Sequence, residues 1–420
     1  MLRRSVLLRA AAAALPAGGS PPGGPPAARA AGRPGARGGS GAAGRPEVRD
    51  GCEDGGRPVV LGGTERGGDL VVRKVADLTG PGITTRFRMD ATDLGIPVRA
   101  PDGRLLFVFG DTFEEARVGG GWWRSPVALY GRMSPDGELG SGQGELGSRV
   151  VWTGAVGGRH AQQLRPYAHD GPSFSTVLPT DVITIGTDMY LHVAVHQGFG
   201  NVRWSEIWRS RDTGETWHPT PARFPGTLHG GMFQLLTWAL ADDGYVYVLS
   251  TGFQRDKPAL LHRVPAERIT DPSAYRSWGR RAGRWWARGR RDRGWAWGGR
   301  PTPVLSGRVG EMCLRPLDGR WLLTWFDEGG YRIDALVLDT PASVCETTDA
   351  DRVTLIRGGA WGQEDDTHVA QLYGGYVIPG STLDDLHLTV SQWNTAAGWP
   401  YRVMHFRVRG LTGTPDPPTP

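Results

Sequence analysis

The sequence predicts an all-β protein, a five-bladed β-propeller, and three observations support this fold class. A short hairpin with one layout recurs five times along the chain. A turn pattern typical of propellers lies between the second and third copies. The chain also contains 64 glycines and 17 tryptophans, which suits a turn-rich protein with aromatic packing between its sheets.

Each hairpin joins two short apolar strands through a polar turn, in most copies with an Asp-Gly or Thr-Asp pair. A small sheet cannot bury both of its faces alone, so we expect the copies to stack radially as blades around a channel. Their irregular spacing predicts long insertions between blades. A β-sandwich or jelly roll is the alternative. The five copies cover residues 92–112, 180–193, 233–249, 311–325 and 375–390.

Residues Ser210–Trp217 fit the pattern S-x-D-x-G-x-T-W, an Asp-box of the kind seen in sialidase-type propellers. Asp212 is expected to bond its own turn, Gly214 to allow a positive φ, and Trp217 to pack between sheets. The turn is expected on the outside of a blade. We therefore interpret Asp212 as structural rather than catalytic.

The N-terminal 55 residues predict an export signal followed by a disordered linker rich in Pro, Gly and Ala. Arg3 and Arg4 precede an apolar run, which is compatible with a twin-arginine signal. We assign residues 56–410 to the propeller and 411–420 to a disordered tail. No apolar stretch long enough to span a membrane follows the N-terminus. The expected location is secreted or in the cell envelope.

The formal net charge is +5, carried almost entirely by arginine. Arginine and tryptophan alternate most densely over residues 276–300. Such a run can hold single-stranded nucleic acid or a sugar chain, or it can be an outer strand with an exposed loop. Predicted export disfavours nucleic acid as a partner. We expect a polysaccharide partner and a monomeric protein.

The three cysteines, Cys52, Cys313 and Cys345, match neither a disulfide scaffold nor a metal site. Cys313 and Cys345 fall in the same predicted blade and could pair in an exported protein. The alternative is that Cys313 is simply a small core residue on a strand.

Acidic residues stand near the starts of strands that are predicted to line the central funnel. Carboxylates from separate blades that meet in a partly dry cleft raise each other's pKa, which is the arrangement that glycoside hydrolysis uses. Each acid could instead cap its own turn or form a structural contact. The catalytic candidates are Asp93, Asp111, Asp181 and Glu311.

Aromatic and histidine side chains near the funnel are expected to contact a sugar, since sugar rings have apolar faces. Most tryptophans should instead fill gaps between blades, and each histidine could be structural. No metal site and no cofactor is predicted, and no nucleophile elbow, P-loop or dinucleotide fingerprint is present in the sequence. The substrate-binding candidates are Phe113, His169, His229, Trp238, Trp325 and Trp393, with Trp122 and Trp123 as further aromatic platforms.

The motif around Asp93 and the run Phe109–Phe113 resemble the opening of an actinobacterial domain family of unknown function. The resemblance continues in order through residues 171–173, 210–217, 310–312, 391–394 and 400–403. That family includes glycoside hydrolases acting on D-arabinan, a furanose polymer of mycobacterial cell walls. The resemblance implies a five-bladed propeller and endo-D-arabinanase activity. The chain departs from the family at 276–300 and 395–398, where loop insertions could alter specificity.

Taken together, these features predict an exported glycoside hydrolase that cleaves arabinofuranosyl linkages. We expect Asp93 to act as nucleophile or base and Glu311 as general acid, with Asp111 and Asp181 orienting groups or tuning pKa. One alternative is a non-catalytic carbohydrate-binding propeller, which would use the same funnel without hydrolysis. A weaker alternative is a sialidase-like enzyme, which would need an arginine triad and a tyrosine nucleophile.

Overall fold

The computed structural model describes residues 70–134, 149–281 and 294–412. The predicted export signal and linker, the last eight residues of the predicted tail and the centre of the Arg/Trp-rich stretch lie outside these ranges. The described strands run from Val71 to Arg409. No helix in the described ranges has the length and the apolar character needed to cross a membrane.

Four of the five blades are formed by strands that follow one another along the chain, and each begins with the strand nearest the axis. Blade 1 comprises β2 (Ile96–Arg99), β3 (Leu105–Phe109), β6 (Val127–Met133) and β7 (Val150–Ala155), with the small hairpin β4 (Thr112–Phe113) and β5 (Trp123–Arg124) inserted. Blade 2 comprises β8 (Thr176–Ile185), β9 (Asp188–His196), β10 (Val202–Ser210) and β11 (His218–Pro225).

Blades 3 and 4 carry additional outer strands. Blade 3 comprises β12 (Leu235–Leu240), β13 (Tyr245–Thr251), β14 (Leu260–Pro265), β15 (Arg276–Arg280), β16 (Trp295–Trp297) and β17 (Arg300–Pro301). Blade 4 comprises β18 (Val309–Leu317), β19 (Arg320–Asp327), β20 (Arg332–Leu338), β21 (Val353–Gly359) and β22 (His368–Ala370).

Blade 5 closes the ring with strands from both ends of the described chain. The inner strands are β23 (Leu372–Val377), β24 (Asp385–Trp393) and β25 (Tyr401–Arg409), and β1 (Val71–Asp77) pairs antiparallel with β25 as the outer strand. The innermost strands β2, β8, β12, β18 and β23 contact one another in that order, and β23 contacts β2 again. The prediction of a five-bladed β-propeller is confirmed.

The helical segments are short 3₁₀ turns in the connections between strands. They are Thr85–Phe87, Leu228–Gly231, Ala266–Arg268, Pro272–Ala274, Pro341–Glu346 and Asp349–Asp351.

Each of the five predicted hairpins forms the inner two strands of one blade. The alternating pattern places apolar side chains between adjacent sheets, where they form clusters that join neighbouring blades. Trp238 and Trp325 each expose 1% of their surface in these clusters. Both tryptophans therefore stabilise the stack of blades, and neither reaches the funnel.

The turn at Ser210–Trp217 has the internal bonds expected from its residues. The Asp212 carboxylate accepts hydrogen bonds from the Thr216 backbone N–H at 2.9 Å and the Ser210 hydroxyl at 2.8 Å. Gly214 has a φ of +97°. The Trp217 indole donates to the Gly214 carbonyl at 2.9 Å. Asp212 is thus committed to the turn between β10 and β11.

The bridge between Cys313 and Cys345, which the sequence left open, is not formed. Cys313 is a buried free thiol on β18, and its Sγ accepts a hydrogen bond from the Val377 N–H at 3.3 Å. Cys345 is disulfide-bonded. Cys313 serves as a small core residue between blades 4 and 5, which is the alternative that the sequence allowed.

Candidate active site

Three of the four acidic candidates reach one chamber at the axis. Asp93 directly precedes the turn into β2, Asp111 lies between β3 and β4, and Glu311 is the third residue of β18. They line a small chamber of about 80 Å³. Ring closure therefore brings together carboxyl groups from blades 1 and 4 that are 200 or more residues apart in sequence.

The backbone around Asp93 is held in an unusual conformation. Leu94 has a φ of 65° and Gly95 a φ of 66°, so two consecutive residues occupy the left-handed region. The Leu94 N–H donates to the Ser391 hydroxyl of blade 5 at 2.8 Å. Backbone strain of this kind persists only where the surroundings enforce it, and it is common at functional sites. The turn fixes the direction in which the Asp93 carboxyl points.

The Asp93 carboxyl has two distinct oxygens. Oδ2 accepts a hydrogen bond from the Tyr373 hydroxyl at 2.8 Å. Oδ1 is shielded from solvent and has no hydrogen-bond partner among the described residues. Burial raises the pKa of Asp93 to about 7, and the neighbouring Asp111 and, more weakly, Glu311 add to this, while the hydroxyls of Tyr373 and Tyr401 oppose it. Asp93 therefore holds a proton near neutral pH.

Asp111 is also buried, with 7% of its surface exposed. The Trp123 indole N–H donates to its Oδ1 at 2.8 Å. Burial raises the pKa of Asp111 to about 6, although hydrogen bonds from Trp123 and Ser125 work in the opposite direction. The chamber thus contains two aspartates whose pKa values are both raised by burial but whose neighbouring groups differ. Two carboxyl groups in unlike environments are the usual pattern of an acid and a base in one site.

Glu311 is paired with an arginine that the sequence did not single out. The Arg255 guanidinium donates to Glu311 Oε1 from Nη2 at 2.6 Å and from Nε at 3.1 Å. Arg255 lies in the loop between β13 and β14 with a φ of 58°, and its guanidinium is 4.8 Å from the centre of the Tyr373 ring. Glu311 Oε2 has no partner among the described residues. Glu311 Oε1 is therefore occupied by Arg255, and Oε2 faces the chamber.

Tyr373 and Arg255 are site residues that sequence reasoning missed. Tyr373 is the second residue of the innermost strand of blade 5, near the position at which other blades carry acidic residues. A search for polar side chains at the starts of all innermost strands would therefore have found it. Arg255 lies in a loop that has no distinguishing pattern. Its role depends on a contact with another blade, which the sequence does not reveal.

Asp181 does not line the chamber. It is fully buried in the middle of β8, where its carboxylate pairs with Arg315 Nη2 at 2.8 Å and also accepts from the Thr237 hydroxyl at 2.6 Å and the Trp238 backbone N–H at 3.0 Å. Both of its oxygens are occupied. The geometry thus gives Asp181 a structural ion pair that joins blades 2 and 4, and we do not retain Asp181 among the reacting groups.

A larger cleft of about 1160 Å³ opens above the chamber. Phe113 and Trp393 border both cavities, so the two are adjacent. The ring of His169 stacks on Trp123 with 3.7 Å between centroids. Burial lowers the pKa of His169 to about 4, so it is neutral at physiological pH. Trp122 and Tyr167 add further aromatic surface to the same cleft.

His229 lies away from both cavities. It has a φ of 52° in the turn before β12, and its ring stacks on His262 with 5.3 Å between centroids. The candidates that the structure gathers at the cleft and chamber are therefore Asp93, Asp111, Glu311, Phe113, His169 and Trp393. In the parts of the chain that the structure describes, no group of three or more His, Cys, Asp or Glu side chains is arranged to hold a metal ion.

Residues 79–407 match the family described as "Domain of unknown function (DUF4185)". The chain belongs to the DUF4185 family. A relative in Mycolicibacterium smegmatis, named "Uncharacterized 35.9 kDa protein in asd 3'region", is 29% identical over 357 residues, which are 80% of this chain and 98% of the relative. Notoamide biosynthesis cluster protein J' of Aspergillus versicolor is 27% identical and covers 74% of this chain and 83% of its own length.

Among solved structures, a putative hydrolase from Bacteroides ovatus ATCC 8483 shares the fold, with a TM-score of 0.52. The two proteins are 10% identical, and the match covers 81% of this chain and 90% of that one. At this identity the similarity concerns the fold alone, so activity has to be argued from the site.

Proposed function

We propose that this DUF4185 protein is an exported glycoside hydrolase that cleaves arabinofuranosyl linkages of a cell-envelope glycan, as an endo-D-arabinanase. The observation that carries the proposal is the pair of buried carboxyls, Asp93 and Asp111, in one chamber below an aromatic cleft. Glycoside hydrolysis uses two carboxyl groups, one protonated and one ionised, on either side of the scissile bond.

We assign the proton to Asp93 and the ionised role to Asp111. Burial raises the pKa of both groups, and the charge of Asp111 raises the pKa of Asp93 further, whereas the Trp123 indole N–H that donates to Asp111 Oδ1 stabilises the ionised form of Asp111. This differs from the expectation that Glu311 is the general acid. Because Arg255 donates two hydrogen bonds to Glu311 Oε1, Glu311 is less suited than Asp93 to deliver a proton.

The shape and lining of the cavities favour a sugar chain as substrate. The outer cleft has the volume and the aromatic lining of carbohydrate and small-molecule sites. The arabinan specificity rests on the resemblance of the motifs around Asp93, Asp111 and Glu311 to the family that contains endo-D-arabinanases.

A sialidase-like mechanism is not supported by the chamber. Among the described residues that line it, Arg255 is the single arginine, and it is engaged by Glu311. A triad of arginines for a sialic acid carboxylate is therefore missing from this lining. Export is supported by the export signal that the N-terminal sequence predicts.

The test is the release of reducing ends from D-arabinan by the wild type, Asp93→Asn and Asp111→Asn. Each variant should lose roughly 10²- to 10⁴-fold in kcat, the contribution typical of a general acid or base. Asp334→Asn is the matched control, because Asp334 is a fully buried aspartate paired with Arg332 on the third strand of blade 4. The control should keep its kcat.

An aryl arabinofuranoside with a good leaving group separates the two roles. Such a substrate needs little protonation, so Asp93→Asn should recover most of its rate and Asp111→Asn should not. Full activity of both variants on D-arabinan would refute the assignment. Binding of arabinan by the wild type without turnover at any pH would identify a carbohydrate-binding propeller instead.

A further inference from the structure

Four buried polar atoms around the chamber lack hydrogen-bond partners among the described residues: Asp93 Oδ1, Glu311 Oε2, the Tyr376 hydroxyl and the Trp393 indole N–H. All four residues line the chamber of about 80 Å³. Buried polar atoms are nearly always paired, since an unpaired one costs free energy. Four at one cavity indicate that a polar ligand completes the site. Trp393 also borders the outer cleft, and Asp93 Oδ1 is accounted for by the proposed proton transfer, which leaves Glu311 and Tyr376.

Glu311 and Tyr376 offer complementary hydrogen-bonding groups. Arg255 occupies Glu311 Oε1 and leaves Oε2 as a free acceptor. Tyr376 on β23 exposes 1% of its surface. Burial raises the pKa of Tyr376 well above its usual value, so the hydroxyl stays protonated. Glu311 and Tyr376 line the same chamber from the neighbouring strands β18 and β23. The pair presents one acceptor and one donor to the same small space.

We propose that Glu311 and Tyr376 form a hydroxyl-binding site for the sugar ring at the cleavage point. A ring hydroxyl donates to Glu311 Oε2 and accepts from the Tyr376 hydroxyl. The inference rests on the proposed glycoside hydrolase function and adds to it the residues that select the sugar. Glu311 is then a specificity-determining residue that contacts substrate, and it does not transfer the proton.

The size of the chamber fits this role. A volume of about 80 Å³ accommodates the hydroxyl-bearing edge of one ring and excludes a whole disaccharide, which the outer cleft of about 1160 Å³ can hold. A site built to bond a hydroxyl rejects an analogue that lacks it, because its buried groups are then left unpaired. The chamber should therefore discriminate between a furanose and its deoxy analogue.

The experiment compares Glu311→Gln and Tyr376→Phe with the wild type on aryl D-arabinofuranosides that carry or lack the 2- or the 3-hydroxyl. Both variants should lose about 10- to 100-fold in kcat/KM on the parent substrate, the range for a hydrogen bond that involves a charged group. On the deoxy substrate that lacks the bound hydroxyl, the kcat/KM of both variants should almost equal that of the wild type, because the hydrogen bonds in question are then absent from all three proteins. Both limbs of the pH profile should remain.

Glu206→Gln is the matched control. Glu206 is as buried as Glu311, at 6% exposure, and pairs with Arg223 at 3.2 Å on blade 2, outside both cavities. It should keep wild-type discrimination. Equal losses on the parent and both deoxy substrates would overturn the inference, as would Glu311→Gln activity restored by a better leaving group, which would make Glu311 the acid.

The proposed function and this inference fail in different ways. If the wild type releases no reducing ends from D-arabinan and turns over none of these substrates, the function fails, and the hydroxyl site is then tested by calorimetric titration with an arabinofuranosyl oligosaccharide. Weaker binding in Glu311→Gln and Tyr376→Phe than in Glu206→Gln would support the site. Equal binding in all three would overturn it. If the wild type is active but shows no discrimination, the function stands and the inference falls.

Discussion

Gly110→Ala should reduce activity by displacing the Asp93 carboxyl while leaving the fold intact. A Cβ atom at residue 110 would lie 2.5 Å from Asp93 Oδ1 and 3.2 Å from Leu94 Cδ1. Non-bonded carbon and oxygen atoms settle at about 3.5 Å, so the carboxyl has to move by about 1 Å. Gly110 does not have a positive φ, so alanine causes no backbone strain of its own.

A displacement of about 1 Å in a reacting group costs on the order of 10²-fold in rate. We therefore expect kcat on D-arabinan to fall by about this factor. The added methyl group should cost about 1–3 kcal/mol of stability through overpacking, which a thermal melt would detect. Most of the protein should remain folded at 25 °C, so the loss of rate is measurable separately.

Gly154→Ala is the matched control for this prediction. Gly154 lies on β7 in the same blade, and a Cβ there meets no heavy atom within 4 Å. This variant should keep wild-type kcat and stability. Wild-type kcat in Gly110→Ala, with the variant shown to be folded, would refute the reasoning that Asp93 must hold its present position.

Two further predictions concern stability. The pKa of Asp93 rises from 3.8 to about 7 in the folded state, so the folded protein binds this proton more tightly and wild-type stability falls as pH rises from about 4 to 7. Asp93→Asn removes this loss, so its free energy of unfolding should exceed that of the wild type by up to about 4 kcal/mol above pH 7 and by almost nothing near pH 4. Urea unfolding at both pH values measures the difference. Equal effects at the two pH values would contradict the prediction. Arg315→Met leaves Asp181 buried without its cation and should cost about 3–5 kcal/mol. Its control, Arg268→Met, breaks an exposed pair and should change stability little; an equally small effect of Arg315→Met would contradict the buried pairing.

The inner hairpins were predictable because their signals are local. Alternating apolar residues and Asp-containing turns such as Asp243-Gly244 specify a hairpin within about twenty residues. The closure of the ring was not specified in the same way. The pairing of Val71 with Arg409 joins strands from opposite ends of the propeller, and no local pattern marks it.

The acidic site was predicted in part, and Asp181 shows why the rest was missed. The sequence places Asp181 near the start of its strand, but β8 begins at Thr176, so Asp181 lies in the middle of the strand and further along the axis. Glu311, in contrast, is the third residue of β18. Depth in the funnel depends on where each strand begins relative to its neighbours, and that register is set by packing between blades.

Glu311 and Arg315 show how β18 serves both the reactive chamber and the core of the ring. Glu311 lies near the start of β18 and lines the chamber, and Arg315 follows four residues later on the same strand. Arg315 reaches Asp181 on β8 and forms a buried ion pair that joins blades 2 and 4. Without Arg315, the Asp181 carboxylate would be a buried charge without its cation, which is costly. The arginine therefore allows the fold to bury a further acid on an innermost strand, while burial in the chamber keeps the pKa values of Asp93 and Asp111 raised.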